Sequence, residues 1–251
     1  MDYEQIELRL TAHFGNEEQM IEDIHEGKDL HSETCKRIFE IDESAPDWKS
    51  KRYLAKTLNF SIVYGTGAAK FAETVLKSTG GKMRISEQEA RSYISSWKSA
   101  HLGVMELFNK VAHEVALTGG VRNYYGRFVP VDPGKPYVGV NYLIQGTAAD
   151  LMKDRLLKCW RFLKDKDTDL LMTIHDELVF EVPGHEKEII WQLKEIMEEP
   201  DEFKVPLTCS VEVGKTWGSK KAFEPTAPSQ PPSSLPPRER SGQLYSGACA
   251  P

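Results

Sequence analysis

The chain has 251 residues, 40% apolar and 28% charged, the composition of an ordinary globular protein able to bury one sizeable core or two. A net charge of −6 argues against a uniformly basic nucleic-acid binder. No signal peptide and no apolar run of the roughly 18 residues that a membrane span needs are present, so the chain reads as neither membrane-spanning nor secreted by the usual route.

At the amino terminus, DYEQIELRLTAHF sets Asp2 five residues ahead of Glu7. Residues 5–125 read as largely helical, with a stretch after Ile6, a second around 30–40, a third behind Ser44, Pro46 and Asp47, and two more over 86–98 and 102–117. Ser44 with Asp47 three residues on makes a helix start, and Pro46 suits a first turn. Within the third helix, KRYLAKTLNFSIVYGTG, the residues Arg52, Lys56, Phe60 and Tyr64 recur at every fourth position before Gly65. That spacing drifts about 40° per step, so two cations and two aromatics form one continuous ridge. Leu54, Ala55, Leu58 and Ile62 fall on the opposite side as an apolar back. Such a front suits a nucleoside triphosphate, with cations for the phosphates and a ring under the base. Taken alone, the pattern equally describes a surface helix with ordinary cations.

Further along, Leu151, Met152, Leu156, Cys159, Phe162 and Leu163 mark a helix over about 144–164. LLMTIHDELVFEVP follows, two apolar strands meeting at a corner that carries Asp176 and Glu177. A helix at 185–199 and a strand at 205–213 complete a block of helices on one face of an antiparallel sheet, an α+β arrangement. Carboxylates presented at a strand end from distant parts of one chain are what a pair of Mg²⁺ ions needs, because hard cations take oxygen ligands; one such tip alone is equally a solvated turn. From Trp48 to Asp165, 19 Lys and Arg stand against 9 Asp and Glu, a local excess of +10 that fits either a basic groove between acidic flanks or a fluctuation along a mixed surface. Cys35, Cys159, Cys209 and Cys249 share no metal-ligand spacing and read as free thiols of a reducing compartment. Beyond Glu224, the Pro- and Ser-rich stretch cannot bury a core and reads as a disordered tail, 224–251.

Together these segments resemble the three polymerase motifs of family A DNA polymerases, the bacterial DNA polymerase I type. DYEQIELR departs from that family's DYSxIELR only at Glu4; R-x3-K-x3-F-x3-YG is matched by Arg52, Lys56, Phe60, Tyr64 and Gly65; and HDE by His175, Asp176 and Glu177. GKDLH at 27–31, Gly126 with Arg127, and NYLIQGTAADLMK at 141–153 agree as well, and the similarity runs over about 2–223.

The resemblance implies helical fingers over about 5–125 inserted on an antiparallel-sheet palm, 1–4 and 126–223. It implies DNA-templated DNA synthesis from dNTPs on a primer-template DNA. Asp2 and Asp176 would hold two Mg²⁺ ions, with Glu177 in support, and Lys56 would protonate the leaving pyrophosphate. Arg52, Lys56 and His31 would meet the triphosphate; Phe60 and Tyr64 would pack on the sugar and base, with Glu7 closing the 2′ side. Arg127, Asn141, Gln145 and His175 would contact primer and template. A cytoplasmic location follows, nucleoid-associated or in the host if phage-encoded.

Two departures stand against the pattern. Tyr137 replaces an arginine usual four residues before Asn141, and Asp2 lies one residue from the chain start, without the preceding strand or a thumb. Asp2 is therefore expected to fray and the HDE hairpin edge to seek a partner strand, with an upstream thumb and palm segment in cis or in trans. A non-catalytic DNA- or nucleotide-binding fragment is the alternative. A single-subunit RNA polymerase shares the Arg, Lys, Tyr-Gly and His-Asp pattern but lacks the glutamate gate, so Glu7 and Phe60 favour DNA.

Overall fold

The computed structural model describes residues 1–223; the expected tail, and Cys249 with it, lies outside the described residues. A short strand β1 (Asp2–Tyr3) leads into seven helices, α1 (Ile6–Gly15), α2 (Glu18–His25), α3 (Leu30–Phe39), α4 (Trp48–Val63), α5 (Ala68–Ser78), α6 (Glu87–Ala100) and α7 (Leu102–Thr118). A ribbon of β2 (Gly120–Arg122) and β3 (Phe128–Pro130) follows, then the long α8 (Val138–Phe162). The chain continues through β4 (Asp169–Ile174), β5 (Glu177–Glu181), α9 (Ile189–Met197), β6 (Cys209–Ser210), β7 (Glu212–Val213) and β8 (Lys221–Ala222). The α+β class is as expected.

The main sheet has the order β4-β5-β1-β6, with antiparallel neighbours throughout. Asp2 therefore does not fray. It lies opposite Glu177 on one side and Ser210 on the other, while Tyr3 faces Cys209. The backbone is tied at both ends, because Met1 and Leu178 exchange N–H···O bonds of 2.9 Å and Glu4 donates to Thr208 O at 2.8 Å. Tyr3 is the anchor, since its buried ring sits in the core and its hydroxyl donates to Met197 O at the end of α9. Of the two outer strands, β4 carries the exposed apolar residues Leu171, Met172 and Ile174.

Arg155 of α8 is buried and supports the same corner. It donates to Glu199 O at 2.8 Å and to the Asp201 carboxylate at 2.5 Å, satisfying a charge that would be costly to bury alone. Gly139 lets α8 approach α7, because a side chain there would meet Val111 at 2.7 Å.

In the helical block, α3 packs along α4. Leu54, Ala55, Leu58 and Ile62 are buried, so the ridge helix turns its apolar back inward as its spacing requires. Asn59, also buried, takes the Trp97 indole N–H at 2.6 Å and donates to Thr34 Oγ1 at 3.0 Å, fixing α6 and α3 to α4. Helix α6 begins with a capping box of Ser86 and Glu89. The start of α4 differs from expectation, because the Asp47 side chain caps nothing and Ser44 bonds to Asp42 instead.

Other boundaries shift for local reasons. Helix α8 starts six residues earlier than the apolar spacing indicates, where Gly139 packs on α7 and Val140 is buried. The expected helix at 185–199 opens as a single tight turn, Gly184–Glu186, before α9. The expected strand at 205–213 splits: β6 joins β1, whereas β7 pairs with β8 in a separate ribbon. The expected division between 125 and 126 falls in the turn joining β2 to β3.

Burial pushes His101 down to about 4, aided by the Arg37 charge; Asp23 opposes and Glu17 stands 4.0 Å away. The folded state holds this imidazole neutral while the unfolded chain protonates it near 6.5. Its contribution to stability is full above that pH and is lost as pH falls toward 4. The urea midpoint difference between wild type and His101→Gln should therefore shrink from pH 7 to pH 4.5; a constant difference would contradict this.

Candidate active site

The carboxylate corner is built by a tight turn. His175 adopts a left-handed conformation, φ 53°, between β4 and β5, which brings Asp176 and Glu177 round to the end of β1. Tyr3 donates to Asp176 O at 3.1 Å, and Asp2 is the register partner of Glu177, so distant parts of the chain share one sheet end. The Asp2 carboxyl is pushed up to about 6, first by burial and then by the charges of Asp176 and Glu177. Crowded carboxylates of this kind are relieved by a cation, and oxygen donors suit a hard divalent one, so the residues fit the expected metal. Glu177 already meets Lys220 Nζ at 3.2 Å, which suits it to support more than to ligation. The cluster of Asp167, His185 and Glu186 lies at the opposite end of the β4-β5 hairpin and belongs to no part of this site.

At the next position outward, three motifs meet. Gln5, left-handed at φ 52°, turns the chain from β1 into α1 and sets Glu7 in the first helical turn. Helix α4 ends at Tyr64, and Gly65 follows at φ +67° under the ring of Tyr137, where a side chain would lie 2.6 Å from that ring. The Tyr64 hydroxyl is within 2.9 and 2.8 Å of the two Glu7 carboxylate oxygens, and Gln145 Nε2 lies 3.2 Å from Glu7 Oε1 and 3.1 Å from Tyr64 Oη. Burial and then Glu7 push the Tyr64 phenol up to about 12, keeping it a hydrogen-bond donor. Gln145, expected on the DNA, is thus tied to the Glu7 and Tyr64 pair.

Along α4, Lys56 is exposed and Phe60 half-buried on the same face as Arg52. Arg52 is held by Asp29, with Nε at 3.0 Å and Nη2 at 2.7 Å from Oδ2. His31 is buried, its ring 5.7 Å from Phe60 and its Nδ1 3.2 Å from Asn59 Nδ2. Burial brings His31 down to about 4, opposed by Asp29 and aided by Lys56 and Arg52, so any phosphate contact it makes near pH 7 is that of a neutral imidazole.

The model of DNA polymerase family A matches residues 1–219. The chain belongs to DNA polymerase family A. It is 34% identical over 233 residues to DNA polymerase I of Helicobacter pylori, covering 88% of this chain and 25% of that protein. It is 33% identical over 232 residues to the thermostable DNA polymerase I of Thermus aquaticus, covering 88% of this chain and 27% of the relative. Among solved structures, the polymerase domain of Pol1 from M. smegmatis, in complex with DNA primer-template and dNTP, superposes with a TM-score of 0.76 at 28% identity, over 87% of this chain and 39% of that one. The chain thus spans about a quarter of the length of the polymerase I relatives.

The remaining expected contacts of this family A chain are placed less uniformly. Arg127 is bound to Asp150 at 2.7 Å and to Gly146 O at 3.1 Å. His175 is exposed at the hairpin tip. Asn141, on α8, leaves its Oδ1 buried without a partner among the described residues. Tyr137 lines a cavity of about 660 Å³ with Thr66, Arg91 and Lys98. Sequence reasoning missed Asp29, Asn59 and Asp150 as the residues that hold Arg52, His31 and Arg127, although all three lie inside recognised segments, GKDLH, KRYLAKTLNFSIVYGTG and NYLIQGTAADLMK, at positions to which the pattern assigns no role.

Proposed function

We propose that this chain carries the nucleotidyl-transfer site of a DNA-directed DNA polymerase, extending a primer 3′-hydroxyl with dNTPs on a DNA template. The observation that carries the reading is the meeting of Glu7, Tyr64 and Gln145 within 3.2 Å of one another, beside the sheet end that bears Asp2 and Asp176. Residues 5–125 then act as fingers, and 1–4 with 126–223 as palm.

Asp2 and Asp176 would hold two Mg²⁺ ions, with Glu177 and Lys220 bracing the pair. Divalent cations bound there supply activation of the 3′-hydroxyl and neutralisation of the triphosphate. The chain's own groups do the rest. Arg52 and Lys56 bind the triphosphate as fork and point charge, and Lys56, the exposed cation of the ridge, is the group to hand a proton to the departing pyrophosphate. Phe60 and Tyr64 offer their ring faces to the sugar and base. Glu7, fixed by Tyr64 and Gln145, fills the space that a 2′-hydroxyl would need.

Arg127, Asn141, Gln145 and His175 would line the primer-template path, where the buried, unpartnered Asn141 Oδ1 supports a polar ligand. An upstream thumb and palm segment, in cis or in trans, would complete the grip on duplex, and the exposed apolar edge of β4 supports such a partner. No described helix is long and apolar enough to cross a membrane, and buried free thiols at Cys35, Cys159 and Cys209 fit a cytoplasmic setting.

Primer extension by the chain, alone or joined by an upstream segment of a relative, should require Mg²⁺ and fall at least about a hundredfold in Asp176→Ala of unchanged circular dichroism. Near-normal extension would remove Asp176 from the site. Glu7→Ala should keep synthesis and raise ribonucleotide incorporation relative to deoxynucleotide, because it removes a clash more than an attraction. Unchanged sugar selectivity would remove Glu7 from that role.

A further inference from the structure

The carboxylate of Asp29 collects hydrogen bonds from three separate segments. As the cap of α3 it takes the Ser32 N–H at 2.9 Å and the Ser32 hydroxyl at 2.6 Å on Oδ2. The same oxygen takes Nε and Nη2 of Arg52 at 3.0 and 2.7 Å, while Oδ1 takes Nε2 of Gln5 at 2.6 Å. Ser32 Oγ adds a second contact to Arg52 Nε at 2.9 Å. One carboxylate thus joins the turn after β1, the first turn of α3 with His31, and the cationic end of the α4 ridge.

The pair is partly open to solvent, with side-chain exposures of 31% for Asp29 and 40% for Arg52. Burial alone would push the Asp29 carboxyl up, but the bonds from Ser32, Arg52 and Gln5 outweigh it and hold it well below the usual carboxylate range, so it is charged throughout the working pH. Holding Arg52 by its Nε edge leaves Nη1 and the outer Nη2 hydrogen directed away from Asp29. A guanidinium so held loses little further rotamer freedom when it takes up a phosphate.

We propose that Asp29 is a positioning residue that orients the Arg52 guanidinium, in register with the strand of Asp2, to receive the triphosphate of the incoming nucleotide. The inference rests on the reading of Arg52 as a triphosphate ligand. Capping of α3 is a separable role, because Asn caps a helix about as well as Asp and retains the Ser32 bond. Loss of the charged, two-point hold on Arg52 is then the main effect of Asp29→Asn.

The test is binding of dATP with Mg²⁺ and no primer to the full chain, measured by equilibrium dialysis for wild type, Asp29→Asn, Arg52→Ala and the double variant. Expected are a dissociation constant raised about tenfold in Asp29→Asn, on the order of the rotamer entropy of one freed arginine, a comparable rise in Arg52→Ala, and no further rise in the double variant. Arg52→Lys, which keeps the charge and loses the fork, should bind as weakly as Arg52→Ala and be insensitive to Asp29→Asn. A purely structural cap would leave Asp29→Asn unchanged, and a carboxylate that merely competes with phosphate would make it bind more tightly; either result, with Arg52→Ala weakened, overturns this inference alone. Equal binding by wild type and Arg52→Ala would overturn the triphosphate reading of Arg52 and the inference with it.

Discussion

Two residues of extended backbone, Asp2 and Tyr3, determine whether a site exists at all. The strand they form lies between β5 and β6, and it brings the first carboxylate of the chain beside the HDE turn. A two-residue strand has little hydrogen bonding of its own, each backbone bond contributing about 1 kcal/mol net. Its position comes from Tyr3, whose buried ring adds about 2 kcal/mol of apolar burial and whose hydroxyl reaches Met197 O. Because side chains alternate along a strand, burying Tyr3 directs Asp2 to the opposite face, out of the core and toward Asp176. The core residue thereby sets the direction of the candidate metal ligand.

The helical block has an equivalent device. Helix α4 is fixed from behind by its apolar stripe and by Asn59, and at its two ends by polar contacts that cross between motifs. At one end Arg52 is held to Asp29, and at the other Tyr64 is held to Glu7 and Gln145. Both Gln5 and Glu7 belong to the segment that carries Asp2. The ridge is therefore referenced at both ends to the strand that presents the carboxylates, which suits the proposed transfer chemistry because that chemistry depends mainly on positioning.

Much of this is legible in the sequence. The fourfold spacing of Arg52, Lys56, Phe60 and Tyr64 specified a helix face, and the LLMTIHDELVFEVP pattern specified a hairpin with acids at its tip, because both depend on local periodicity. The anchoring of Asp2 was not legible, since strand pairing with β5 and β6 depends on residues about 175 and 208 positions away, and a two-residue strand carries no pattern of its own. The start of α8 is not legible, because Gly139 lowers the apparent helical propensity while serving close packing on Val111. Holding residues such as Asp29, Asn59 and Asp150 look like ordinary surface polarity in sequence; their role arises only from which arginine or histidine the fold sets against them.

Asp2 and Asp176 are proposed to hold a pair of divalent cations jointly, each carboxylate needed by the other. Titration with Mn²⁺, with free ion followed by electron paramagnetic resonance, on wild type, Asp2→Asn, Asp176→Asn and the double variant addresses it directly. A shared site predicts that each single variant loses tight Mn²⁺ binding to a similar extent and that the double variant loses no more. Wild-type binding by either single variant, or losses that simply add, would contradict it.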